Sequence, residues 1–279
     1  MKKYIPQVFI LLVVLYLLFL IRPALLGQLT GTFQPHTVPP EYTKLEKFLD
    51  SQKQFSRTLW VPTTQRFGFY SSTHPAISAE DLFHISSVSG VIAELKKQKT
   101  KNMLQEAGVK YVIVPYDSEG EIFLNDRKYD NAEYLSTINS VGKITYLTPI
   151  PGFGKIAVFE VPSPNDHFWL QGGGSVSSTF INPTKYTVDV ENVKKGERLV
   201  FSEGYDKYWT AILPNTQITS KLYNNLFNSF VLPQNGSYSL TIFYTPQKWV
   251  DMGLWISGLT ALAIGIYFIS YFMYRKKYA

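Results

Sequence analysis

Imidazole and carboxylate side chains gather in one short stretch of this chain, STHPAISAEDLFH, which carries His74, Glu80, Asp81 and His84. Together such groups can ligate zinc or move protons. The same residues also suit a loop running into a helix: Ser78 with Asp81 has the spacing of a capping box for a short helix through Phe83, and the acids favour its N-terminal dipole. A second set is aromatic. Trp169 follows Phe168, while Tyr205, Tyr208 and Trp209 cluster in SEGYDKYWTAIL. Exposed rings beside polar groups can stack on sugars, whereas large aromatics just as readily fill a core. The sequence has no G-x-S-x-G, no G-x-x-x-x-G-K-[ST] and no H-E-x-x-H, so no catalytic residue is assigned, and no metal or cofactor is expected. Asn235-Gly236-Ser237 is formally a glycosylation acceptor, and its Asn-Gly pair reads better as a hairpin turn.

These residues lie between two apolar spans. From Val8 to Ile21 the chain is uncharged and almost wholly apolar, and residues 4–26 together have the length that crosses about 30 Å of hydrocarbon. Met252 to Met273 is a second uncharged run, within a span taken as 249–274. Lys2 and Lys3 precede the first, and Arg275, Lys276 and Lys277 follow the second. Lys and Arg beside a span are retained in the cytoplasm, so both termini are expected there and residues 27–248 outside. A cleaved signal peptide is the rival reading of the first span.

The net charge of +6 belongs largely to these flanks. Lys2, Lys3, Arg22, Arg275, Lys276 and Lys277 take six of the 27 basic residues and Asp251 takes one of the 21 acidic ones, which leaves the central region nearly neutral. Nucleic-acid binding through counterion release has no footprint. Cysteine is absent, which excludes thiol chemistry and points to a bacterial or archaeal envelope rather than a disulfide-bearing ectodomain.

Periodicity divides the central region in two. Over 27–162 helical and strand patterns mix, predicting a small α/β domain: a helix over Glu41 to Asp50, another over Lys101 to Ala107 ended by Gly108, a buried strand from Val109 to Asp117, and a hairpin of Lys143 to Thr148 with Lys155 to Val161 around PIPGFG. Residues 163–174, ending in a triple glycine, read as a linker. Over 175–248 five strand patterns recur (Tyr186 to Val190, Arg198 to Phe201, Tyr208 to Leu213, Phe227 to Leu232, Tyr238 to Tyr244), predicting a β-sandwich. The expected fold class is therefore membrane-anchored α+β, with two transmembrane helices flanking an α/β unit and a β-sandwich.

The order of a helix, AGVKYVIVPYD, a hairpin ending in IAVFEVP, SEGYDKYWTAIL, and FVLPQNGSYSLTIFYTPQKWVDMGLWIS leading into the last span resembles the C-terminal region of YfhO-like and related GT-C-type bacterial membrane glycosyltransferases. GT-C enzymes take a sugar from a polyprenyl-phosphate donor, using acidic residues in the first outer loop of a many-span core. This chain has no Asp or Glu before Glu41, so no catalytic residue carries over. The resemblance implies a non-catalytic extracytoplasmic accessory or recognition module of a glycosyltransferase system, or the C-terminal fragment of such an enzyme, in the plasma membrane. Its expected partners are the bilayer, a multi-span glycosyltransferase core, and lipid-linked sugars or envelope glycans. A two-span envelope scaffold unrelated to sugars is the alternative. Trp169, Tyr205, Tyr208 and Trp209 are the candidate glycan contacts, and His74, Asp81 and His84 the candidate polar site.

Overall fold

A computed structural model describes residues 5–26, 38–64, 68–116 and 131–278. Tyr4, Gly27 and Asp117, which bound elements expected from sequence, lie outside the described residues. The chain divides into two compact units, one of Met1–Lys53, Thr58–Lys101 and Tyr111–Val161, the other of Gln54–Arg57, Asn102–Lys110 and Pro162–Ala279.

In the first unit α1 (Ile5–Leu25) precedes α2 (Pro40–Asp50). Pro40 at the first helical turn and Glu41 beside it start α2 as the sequence predicts. Its Tyr42, Leu45 and Leu49 pack into a core with Trp60, Tyr111, Ile113 and Phe153. The sheet beneath comprises β1 (Arg57–Trp60), β2 (Ala76–Ser78), β3 (Val109–Val114), β4 (Thr148–Ile150) and β5 (Ala157–Glu160), in the order β2-β1-β3-β5-β4. β2 runs parallel to β1, while β5 is antiparallel to both β3 and β4. Successive side chains Tyr111 to Val114 are all buried, so both sheet faces are covered. Helices α3 (Ala79–Phe83), α4 (Val88–Leu95) and α6 (Asn131–Gly142) complete the described elements of this unit before β4, whereas α5 (Gln98–Glu106) from Asn102 on, Arg57 of β1, and Val109 and Lys110 of β3 count with the second unit.

Two local expectations are corrected here. Lys143 to Leu147 is not strand but a pair of turns after α6, with Ile144 N–H bonded to Val141 O and Leu147 N–H to Ile144 O. The hairpin is β4 with β5, shorter than expected. Ser78 occupies the N-cap position of α3 without a side-chain cap. Its hydroxyl instead pairs with Thr63 Oγ1 at 3.0 Å and accepts from Thr64 N–H at 3.1 Å.

The second unit is a β-sandwich. One sheet has the order β11-β10-β14-β8-β7, from β7 (Ser175–Asn182), β8 (Lys185–Val193), β10 (Trp209–Leu213), β11 (Thr216–Thr219) and β14 (Gly236–Tyr244). The other has the order β12-β13-β9-β6, from β6 (Phe168–Gln171), β9 (Arg198–Gly204), β12 (Lys221–Tyr223) and β13 (Phe227–Val231). Alternating residues Tyr186, Val188 and Val190 meet Leu199, Phe201 and Phe230 in the core between the sheets. Residues 163–174 are thus no linker, because β6 pairs with β9 through Phe168 opposite Phe201 and Leu170 opposite Leu199. The triple glycine is the crossing from β6 in one sheet to β7 in the other. At Gly174, φ is +89° and a Cβ would lie 2.3 Å from Glu191 O, so only glycine fits.

β14 runs almost directly into α7 (Gln247–Tyr278). Within it Gln247–Tyr271 is long and apolar enough to cross a membrane by length and composition, with mean hydropathy 1.8. Leu254, Leu259, Leu262 and Phe268 are each more than half exposed, so packing inside the protein does not account for that hydropathy. α1 has 21 residues, but its apolar stretch among the described side chains, Leu11–Arg22, is shorter. One helix of span length, rather than the expected two, is therefore present among the described residues.

A fully buried asparagine closes the sandwich corner. Asn228 Oδ1 accepts from Asp206 N–H at 3.0 Å and Ser220 O–H at 2.8 Å, while Nδ2 donates to Glu203 O and Gly204 O, both at 2.9 Å. All four hydrogen-bonding positions of the amide are used. Asn228→Asp keeps the shape but turns an oxygen towards two carbonyls, and is expected to destabilise the sandwich by roughly 3 kcal/mol or more in denaturant unfolding. An unfolding midpoint equal to wild type would show that the corner does not depend on this side chain.

Candidate functional site

The Asn228 corner holds the loop that follows β9, and this loop carries the exposed aromatics. Asp206 Oδ1 accepts from Tyr208 N–H at 2.9 Å, a local Asx turn, and Oδ2 accepts the Tyr244 hydroxyl at 2.8 Å. That bond is the first cause holding the Tyr244 phenol above its ordinary pKa, with burial second. Tyr205 N–H donates to Leu226 O at 2.8 Å. Thr245 N–H donates to Tyr208 O at 3.0 Å, joining the loop to the residues that open α7. Tyr205 and Tyr208 consequently stand 41% and 48% exposed on a fixed backbone. Lys207 Nζ lies 5.2 Å from the centroid of the Tyr208 ring.

The other aromatic candidates separate from this pair. Trp209 is core, edge-on to Phe201 at 4.9 Å and tilted against Tyr244 at 5.2 Å. Trp169 lies on β6 opposite Val200, with its ring 5.5 Å from Tyr223 and its indole N–H buried without a hydrogen-bond partner. Tyr205 and Tyr208, with Lys207 between them, are therefore more exposed than Trp209.

The histidine-acid set does not converge. His74 is buried, and its Nε2 lies 3.0 Å from Gln52 O. His84 sits exposed at the C-terminal end of α3 in a left-handed conformation, φ 55°, and Asp81 is exposed. Among the described residues no three His, Asp or Glu side chains are grouped to hold a metal. A cleft of about 450 Å³ beside α4 and α6 is lined by the apolar side chains of Val88, Ile92 and Ala93 and by polar ones from Ser89, Ser136, Thr137 and Ser140, with Lys96 and Glu133.

Sequence reasoning missed a buried charged cluster. Arg57 donates to Ala107 O at 2.6 Å, Ser202 Oγ at 2.8 Å and Glu203 Oε1 at 2.6 Å, and its guanidinium lies 4.8 Å from the Phe55 ring centroid. His167 Nε2 is 2.8 Å from the same carboxylate oxygen, and its ring stacks on Phe55 at 4.1 Å. No spacing pattern announces this set, because its members come from widely separated positions in the chain.

Burial, aided by the nearby Arg57 charge, pushes the His167 imidazole below its ordinary value against the hydrogen bond to Glu203. His167 is thus a neutral donor through Nε2, and Arg57 supplies the counter-charge. Burial works to raise Glu203, but the His167 hydrogen bond and the Arg57 charge together hold it below the usual carboxylate range. The Glu203 side chain is still 37% exposed, so solvent screens part of this attraction. The arrangement buttresses the start of the aromatic loop, since Glu203 adjoins Gly204 and Tyr205.

No known family model and no curated protein sequence matches the chain. Among solved structures, the C-terminal globular domain of an oligosaccharyltransferase from Archaeoglobus fulgidus aligns with 45% of this chain and 99% of its own length, at 11% identity and a TM-score of 0.26. A superposition that loose carries neither fold nor function across.

The buried cluster makes the sandwich sensitive to acid. His167 and Glu203 both hold depressed values, against ordinary ones of 6.5 and 4.5, so each binds its proton more readily in the unfolded chain. The stability they add at neutral pH is lost as pH falls, first below about 6.5 for His167 and then below about 4.5 for Glu203. The thermal midpoint of the detergent-solubilised chain, followed by near-ultraviolet circular dichroism, is expected to show both falls, and His167→Gln to remove only the first. A wild-type midpoint unchanged down to about pH 5 would contradict this.

Proposed function

We propose that this chain is a non-catalytic, membrane-anchored recognition module of a membrane glycosyl-transfer system. In this reading α1 and α7 both cross the plasma membrane, both termini are cytoplasmic, and the α/β unit and sandwich face outward. Support for the topology comes from the basic residues outside each apolar run and the exposed apolar length of α7. The wider reading, that the module serves a separate many-span glycosyltransferase core of the YfhO-like or GT-C type, rests on the sequence resemblance.

One observation carries the recognition role: two half-exposed tyrosines flanking Asp206 and Lys207 are fixed beside the root of the span-length helix. A polyprenyl-linked sugar presents its phosphate and first sugar rings at that level of the membrane. Tyrosine faces offer apolar area to sugar C–H faces at little conformational cost, and Lys207 offers a charge to phosphate. Rigid backbone around the pair keeps the ordering cost of binding low.

The test is a titration of the full chain in nanodiscs with lipid-linked oligosaccharide, read by tryptophan fluorescence, to which Trp209 beneath the loop contributes. Wild type is expected to respond saturably, and the double variant Tyr205→Ala with Tyr208→Ala to bind roughly tenfold more weakly, about 1.4 kcal/mol. An unresponsive wild type, or a double variant of unchanged affinity, would overturn the assignment.

A further inference from the structure

At the end of the sandwich that feeds α7, the β7–β8 hairpin carries large apolar side chains that the protein leaves uncovered. Phe180 is 41% and Ile181 50% exposed, and Pro183 and Lys185 beside them are exposed. The tip is not a loose loop, because Asn182 Oδ1 accepts from both the N–H and the hydroxyl of Thr184 at 2.9 Å. Phe180 also meets Tyr186 edge-on at 5.6 Å.

This tip is tied to the foot of the helix. Tyr244 N–H donates to Thr184 O at 2.9 Å, and Phe243 pairs with Lys185 in the β14–β8 ladder. Only Thr245 and Pro246 separate Tyr244 from α7, whose first turn closes through Lys248 N–H on Thr245 O and Trp249 N–H on Pro246 O. Lys248 Nζ lies 5.6 Å from the Phe243 ring centroid, and Trp249 is 70% exposed. Apolar residues at a fixed tip, lysines beside them and a tryptophan at a helix root have the composition of a membrane interface. Asp206 and Asp251 accept from the neutral donors Tyr244 O–H and Gln247 Nε2, each at 2.8 Å, and keep their charge, so it is by number that Lys185, Lys207 and Lys248 outweigh these two acids at the surface offered to headgroups.

We infer that the β7–β8 hairpin tip is a second membrane contact: Phe180 and Ile181 enter the headgroup boundary while Lys185 and Lys248 meet anionic lipid phosphates. This rests on α7 crossing the membrane, as proposed above. It goes further in fixing the sandwich against the bilayer, which holds the Tyr205–Tyr208 loop at a constant depth for a lipid-linked ligand.

The absence of cysteine permits single labels without background. Ile181→Cys, Lys195→Cys and Leu262→Cys, each carrying an environment-sensitive fluorophore, are reconstituted as full chains in vesicles of zwitterionic and anionic lipid. Lys195 lies at the opposite end of the sandwich, beside Asn235, whose Oδ1 accepts its N–H. The Ile181 label is expected to emit blue-shifted light and to lose most of its emission to a quencher near the lipid headgroups. The Lys195 label should stay water-like, and the Leu262 label should be quenched from mid-bilayer. An Ile181 label as water-like as that at Lys195, with Leu262 quenched, overturns the hairpin contact alone. A Leu262 label that escapes mid-bilayer quenching overturns the membrane-spanning reading as well. A response of the Ile181 label to soluble polysaccharide in detergent, where no bilayer exists, would assign the tip to glycan instead of lipid.

Discussion

The short joint between β14 and α7 is the constraint on which the rest of this molecule turns. Two residues, Thr245 and Pro246, connect a central sandwich strand to an exposed apolar helix. Hydrogen bonds fix both sides of that joint: Thr245 to Tyr208, and Tyr244 to Thr184. A strand carries no slack, and a helix started at its end cannot move without pulling on the ladder. Whatever holds α7 therefore also holds the aromatic loop and the β7–β8 hairpin. In the proposed membrane-anchored reading, a longer joint would leave the same side chains with no defined depth.

Buried polar groups then give that end of the sandwich its shape. Asn228 satisfies four partners at the corner, and Arg57 with Glu203 and neutral His167 braces the residues just before the loop. Such groups cost free energy when half satisfied and specify one arrangement when fully satisfied. Their concentration at the α7 end coincides with the loop that carries the two exposed tyrosines. Glu203 lies only partly covered, so the brace is accessible to protons, and the same feature that orders the loop makes it acid-sensitive.

Much of the fold is legible in the sequence, for reasons that particular residues make plain. Pro39-Pro40 and Glu41 mark α2, Gly108 ends the helix before β3, and the alternation of Tyr186, Val188 and Val190 or of Tyr238, Leu240 and Ile242 marks strands with one face buried. The misread segments share a physical cause. Gly172 to Gly174 has the composition of a flexible linker, yet these residues form a sheet-to-sheet crossing whose conformation only the packed neighbours reveal. Ser78 has the spacing of a cap, but Thr63 and Thr64, distant in sequence, claim its hydroxyl. The candidate site divides in the same way. Tyr205 and Tyr208 are exposed, whereas burial beneath Tyr244 makes Trp209 a core residue, and nothing local separates the three. Arg57, His167 and Glu203 could not have been found from spacing at all, since only the tertiary fold assembles them.

Amide hydrogen exchange at the joint tests this account most directly. In the full chain embedded in nanodiscs, the N–H groups of Tyr244 and Thr245 should be protected as strongly as those of Leu240 and Ile242 within β14. The Tyr208 amide, held by Asp206, should follow them. Exchange at Tyr244 and Thr245 as fast as in an unstructured turn, with β14 itself protected, would mean that helix and sandwich move independently and that the aromatic loop has no fixed place at the membrane.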